Sequence, residues 1–217
     1  MSVLSIAYFP PLSYFSLLLR GDVLLEGYEN YQKQSWRNRC NILTANGIEA
    51  LQVPVVHTGG TFKHPIQETL VDYSKDWLPR QKRAIDSAYM SSAYFEHFRD
   101  RLYAVLDSRP ESLWDLDIAI MNFFLEICGR PAVGCADAVS GIAPVGITSE
   151  YQGVDTEIHP KRDDKVYAAL ADSTLGQEYF QVFTNKFGFV PITISWVSVP
   201  AVLLGLWLLA FRWRRTG

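Results

Sequence analysis

Asn41-Ile42-Leu43-Thr44-Ala45-Asn46-Gly47-Ile48-Glu49-Ala50-Leu51-Gln52-Val53-Pro54-Val55 carries the clearest fold signal in the chain. Asn41 to Leu43 and Ala50 to Val55 are apolar runs flanking Ala45-Asn46-Gly47. Asn-Gly between two such runs is the strongest short hairpin signal, because both residues tolerate the backbone of a tight turn. Pro54 has no N–H to give a ladder, so it ends or edges the second arm.

Upstream, Val3 to Tyr8 is an apolar run closed by Pro10-Pro11, and it reads as a buried strand. Leu12 to Leu19 carries Tyr14, Phe15, Leu18 and Leu19 at helical spacing, and Val23 to Glu26 reads as a second strand. Downstream, a Gly/His-rich loop (His57 to His64) leads to a candidate strand, Thr69 to Tyr73. Helical spacing then takes over. Ile85, Ala88 and Tyr89 share a face, and Phe95, Phe98, Leu102 and Val105 follow after a break near Ser91-Ser92. Leu113, Leu116, Ile120, Phe123 and Ile127 mark a further helix, with Pro110 near its start and Gly129 where a C-terminal cap belongs. Gly134 to Asp163 reads as loops with short strands, and Tyr167 to Phe183 as partly helical. Strands, then helices, then an irregular segment predict one α/β (or α+β) domain: N-terminal strands with a hairpin, central helices and an apolar C-terminal tail.

The bulk numbers fit a globular chain. It has 217 residues, of which 48% are apolar and 20% charged, with a net charge of -3. That length can bury a sizeable core. No global basic field invites nucleic acid, so nucleic acid is excluded as a partner. The three cysteines, Cys40, Cys128 and Cys135, make a poor disulfide framework, and none of their spacings is CxxC. They read as reduced thiols of a cytoplasmic protein. The first residues lack the basic region and the unbroken apolar stretch of a signal peptide.

The densest polar cluster runs from Asn30-Tyr31-Gln32-Lys33-Gln34 to Ser35-Trp36-Arg37-Asn38-Arg39. Arginine forks match phosphate and carboxylate, lysine adds a mobile charge, and aromatic faces stack on sugars or bases. The run suits an anionic small molecule such as a nucleotide-sugar. The plainer reading is a solvated hairpin arm. His159, between Ile158 and Pro160-Lys161, is a candidate general base, whereas His97 lies in a helix and reads as a surface or satisfied group. No P-loop, GxGxxG, GxSxG or HExxH motif occurs, so no metal is assigned and the cofactor is unknown. Ser87 and Cys40 are conceivable nucleophiles without an identifiable base. Asp115 and Asp117 face differently on their helix and do not form an acid/base pair.

Taken together these segments resemble the WbqC-like family of bacterial surface-polysaccharide (O-antigen) gene clusters. Tyr8-Phe9-Pro10-Pro11 with Tyr14-Phe15 is similar to its N-terminal signature, and Asn30 to Cys40 to its second motif. Leu51-Gln52-Val53-Pro54-Val55 resembles its apolar strand. Asp72-Tyr73-Ser74 with Trp77, and Ser87-Ala88-Tyr89 with Phe95, are similar to the central block. His159-Pro160 and Phe187 to Pro191 are similar to the start of the C-terminal block, after which Ile192 to Gly217 departs from the family pattern. The resemblance implies a domain over residues 1–191 and a role in surface-polysaccharide assembly. The expected activity is that of an enzyme modifying a nucleotide-activated sugar, by acyl or aminoacyl transfer. The alternatives are a non-catalytic binding or scaffold protein of the same assembly, and a small membrane-anchored protein. The expected site brings Tyr8, Asn30, Tyr31, Lys33, Trp36, Arg37, Asn38, Arg39 and His159 into one pocket, with His159 catalytic and the others holding substrate.

Residues 192–217 form an atypical apolar tail. Phe187 to Phe211 holds no charged residue, and Arg212, Arg214 and Arg215 follow. About 20 apolar residues suffice to span a bilayer, so membrane contact through Ile192 to Phe211 is one reading. The arginines would then hold the C-terminus in the cytoplasm and put the domain outside, against the cysteine usage. A frame-altered end and a buried core helix are the other readings.

Overall fold

The computed structural model describes residues 2–10, 12–20, 23–56, 64–92, 95–135 and 145–150. The first strand, β1 (Ser2–Ser5), leads through a helix, α1 (Leu12–Arg20), to β2 (Val23–Glu26). β1 and β2 pair in parallel, Ser2 opposite Val23 and Ser5 opposite Glu26. A hairpin follows, β3 (Arg39–Thr44) and β4 (Gly47–Gln52), then α2 (Trp77–Tyr89), α3 (Phe95–Asp107), α4 (Leu113–Ile127) and a short β5 (Gly146–Ile147). β5 joins the far side of β2, also in parallel, giving the sheet order β1-β2-β5.

Local chemistry explains most of these boundaries. Parallel strands bury both faces and therefore read as continuous apolar runs, as Val23-Leu24-Leu25 does. The hairpin turns at Ala45-Asn46, with Thr44 paired to Gly47 and Gly47 at a φ of 113° that suits glycine. Ser112 caps α4 by accepting from the Asp115 amide at 3.0 Å. At its other end Gly129 takes a φ of +67°, so the expected glycine terminator is present. The expected strand Thr69 to Tyr73 is instead a tie of single bridges, Val55 to Val71 and Leu70 to Ser112. Pro54 beside it can accept from the Asp72 amide but cannot donate, so no ladder propagates.

The core lies around α4. Phe124 packs edge-on against Phe15 of α1 at 5.4 Å and Phe9 at 6.2 Å between ring centres. α4 also meets α3 and the 3-10 turn Ile66–Glu68, while α2 covers β3. Among the described residues no helix is long and apolar enough to cross a membrane. The tail from Ile192, and the division at residue 191, lie outside the described residues.

Candidate functional site

Three parallel strands end at one edge of the sheet, which is where parallel α/β sheets form their ligand clefts. Ser5 ends β1, Glu26 ends β2, and Thr148 follows β5. The Thr148 hydroxyl donates to Glu26 Oε1 at 3.1 Å and accepts from the Gly27 amide at 3.1 Å. Glu26 Oε1 also takes the Tyr28 amide, at 2.9 Å. The chain then runs along this edge as a strap, residues 27–38. Its Tyr31 amide bonds His64 O, and the Ile66 amide bonds Glu29 O.

Beneath the strap is a buried polar seam. Arg37 is 2% exposed and Glu29 3%. Arg37 Nε donates to Glu29 Oε1 at 2.8 Å and Nη2 to Glu29 Oε2, a two-pronged pairing. Nη2 also reaches Ser5 Oγ at 3.2 Å and Nη1 reaches Ser35 Oγ at 3.4 Å. The Ser5 hydroxyl in turn donates to Glu29 Oε2 at 2.9 Å, and Tyr14 donates to Ser5 O at 2.7 Å. Burial pushes the Glu29 carboxyl above its ordinary range, and the bonds from Arg37 pull it back.

Next to the seam, Asn38 is buried and donates to Val53 O at 3.0 Å, while the Val53 amide bonds Asn38 O. Tyr8 lies fully inside. Its amide bonds Trp36 O, and its hydroxyl donates to Gln81 Oε1 at 2.6 Å. Gln81 passes the link to Gln52 O of β4. Phe9 takes a left-handed φ of 44°, unusual for an aromatic residue, which turns the chain between Tyr8 and Pro10 while its ring packs 4.6 Å from Tyr8. Asp117 of α4 is fully buried, and burial pushes its carboxyl well above the ordinary range, against the weaker pull of Arg37. Burial, and then the neighbouring Asp117, push the Cys40 thiol upward.

The expected site residues thus fall into two sets. Tyr8, Arg37 and Asn38 are interior, with Trp36 and Tyr31 half-buried over them. Asn30, Lys33 and Arg39 are exposed along the strap and the start of β3. His159 lies outside the described residues, as does His57. Sequence reasoning passed over Ser5, Glu26, Glu29, Gln81, Thr148 and the interior role of Asp117. For Asp117 a signal exists: Leu113, Asp117, Ile120 and Phe124 fall at steps of four, three and four, the spacing of a buried helix face. Among the described residues no three His, Cys, Asp or Glu side chains converge to hold a metal.

Across these elements the family model of the WbqC-like proteins matches residues 7–131. The chain belongs to the WbqC-like protein family. The matched span runs from the Tyr8 turn through the strap, hairpin and all of α2, α3 and α4. The chain is also similar to the uncharacterized protein Rv1507c of Mycobacterium tuberculosis, 32% identical over 124 residues, 56% of this chain and 53% of that protein. This WbqC-like chain therefore spans about half the length of the curated relative it matches. No solved structure matches it.

Proposed function

We propose that this WbqC-like protein is a cytoplasmic enzyme of bacterial surface-polysaccharide (O-antigen) assembly. It takes a nucleotide-activated sugar on the strap side of the sheet and transfers an acyl or aminoacyl group to it. One observation carries the reading: Glu29, Arg37 and Ser5 form a buried, hydrogen-bonded seam at the C-terminal ends of parallel strands, while Lys33 and Arg39 remain exposed. The seam fixes the strap, and the strap presents cations and the Tyr31 and Trp36 rings, which suit a diphosphate, a base and a sugar. In this reading His159 serves as general base, and the tail from Ile192 to Phe211 supplies any membrane contact.

A second reading, a non-catalytic binding or scaffold protein of the same assembly, draws on Arg37. Its guanidinium is spent on Glu29, Ser5 and Ser35, so part of the polar run is architecture. One experiment addresses both. A strain lacking the gene is expected to make surface glycan without one acyl or aminoacyl substituent, read by mass spectrometry, and an unchanged glycan overturns the assignment. Complementation with His159→Ala then separates the two readings: restoration of the substituent favours the scaffold, and failure favours the enzyme.

A further inference from the structure

Asp117 sits on the inner face of α4, wholly removed from solvent, and neither carboxylate oxygen has a hydrogen-bond partner among the described residues. Buried polar groups without partners are rare, and an ionised carboxylate in such a place is strongly disfavoured. Burial accordingly raises its pKa and favours the protonated form. Three side chains reach it electrostatically: Arg37 from the strap, Tyr8 from the segment after β1, and Cys40 from β3. Burial holds the Tyr8 hydroxyl and the Cys40 thiol in their neutral forms as well. Arg37 is therefore the one cation whose charge acts on Asp117 among the described residues, and it is already committed to Glu29 and Ser5.

We propose that Asp117 is a positioning residue for Arg37: as a neutral acid it leaves the guanidinium on Glu29 and Ser5, and on losing its proton it competes for the guanidinium and loosens the strap. The proton goes to solvent and no bond other than O–H breaks. Two carboxyls then contend for one guanidinium, and the Glu29 arrangement is the one in which Arg37 also reaches Ser5 of β1. The effect on ligand binding rests on the function proposed above, whereas the exchange of Arg37 between carboxyls does not.

The sign of the pH dependence follows from linkage. The folded-state pKa of Asp117 lies above its unfolded value, about 3.9. The folded state thus binds the proton more tightly. Stability is fully present below the unfolded value, falls as pH rises toward the folded-state pKa, and then levels off. Glu29 is shifted the same way, so a stability curve alone does not isolate Asp117.

The test uses the full chain labelled with nitrogen-15 and follows the Arg37 Nε–H resonance together with thermal unfolding from about pH 4 to 9. In the parent protein the resonance titrates with pH, and its midpoint lies where the loss of unfolding temperature levels off. Asp117→Asn keeps the shape of the side chain and cannot ionise, so the pH dependence of the resonance disappears. Glu29→Gln leaves Arg37 free for Asp117 and lowers the midpoint by about one pH unit or more. A parent Arg37 resonance that does not respond to pH, or one whose response survives Asp117→Asn, overturns the proposal. If Glu29→Gln does not fold, the Asp117→Asn comparison decides alone. If Asp117→Asn does not fold, the Glu29→Gln midpoint decides, and an unmoved midpoint overturns the proposal.

Discussion

Arg37 grips Glu29 through Nε and Nη2 in the interior, and Arg99 of α3 grips Asp86 of α2 through the same two nitrogens at the surface. The side chains of the first pair are 2% and 4% exposed, those of the second 35% and 25%. The carboxyls respond in opposite directions. Glu29 is pushed up, because burial outweighs its arginine. Asp86 is pulled down, because bonds from Arg99 and Tyr103 act where water already supports the charge. One contact chemistry gives opposite titration, and the solvent decides which. Acid therefore weakens the surface pair as pH falls through the depressed Asp86 value, whereas the interior pair's titration costs stability as pH rises.

The largest expected effect follows from that contrast. Arg37→Ala abandons a buried carboxyl and is expected to cost about 3–5 kcal/mol, a large share of a domain's total of about 5–15 kcal/mol. Arg99→Ala leaves Asp86 in contact with water and Tyr103, and is expected to cost far less. Urea denaturation of both variants measures the gap. At 1 M salt, where screening acts over about 3 Å, the Arg99 effect shrinks and the Arg37 effect persists. Equal losses for the two variants would end the distinction between interior and surface pairs.

A smaller effect tests the same idea without charge. Tyr8→Phe strips the donor from buried Gln81 Oε1, and one buried group left unmatched costs about 1–3 kcal/mol. Tyr103→Phe also removes a donor from Asp86 Oδ1, but Arg99 still serves that oxygen. Its cost is expected to be the lower of the two by the same denaturation assay. Smaller again is Ser112→Ala, which deletes the α4 cap and is expected to cost about 1 kcal/mol.

These contrasts also explain what the sequence could and could not show. β2 from Val23 to Glu26, the Asn-Gly hairpin, and α4 with Pro110 near its start and Gly129 past its end rest on signals within a few residues, and they stand as read. The family, too, was legible from its ordered blocks between Tyr8 and Phe95, which lie within the matched residues 7–131. The strap was not. Arg37 and Arg39 lie two apart in one polar run, yet one is interior and the other exposed. Their fates depend on Glu29 and on Ser5, 8 and 32 residues away in sequence, and on a sheet edge finished by Thr148, 121 residues beyond Gly27. Local periodicity carries no information about partners at that separation. β5 is two residues long, too short to leave a pattern of its own.

The smallest expected change in stability belongs to Arg39→Ala. Arg39 opens β3 opposite Gln52, its side chain is exposed, and no carboxylate pairs with it among the described residues. Removing it leaves no unmatched buried group, so stability should stay within about 0.5 kcal/mol of the parent. Its effect on ligand binding is expected to run the other way. A charge-assisted contact to a diphosphate is worth about 1.5–3 kcal/mol, so affinity for a nucleotide-sugar should fall about tenfold or more. Titration calorimetry beside urea denaturation separates the two quantities. Unchanged affinity removes Arg39 from the site and leaves Lys33 as the exposed cation of the run. A stability loss like that of Arg37→Ala would mean that Arg39 too has a buried partner, and the division of the run into a structural seam and a ligand-facing rim would fail.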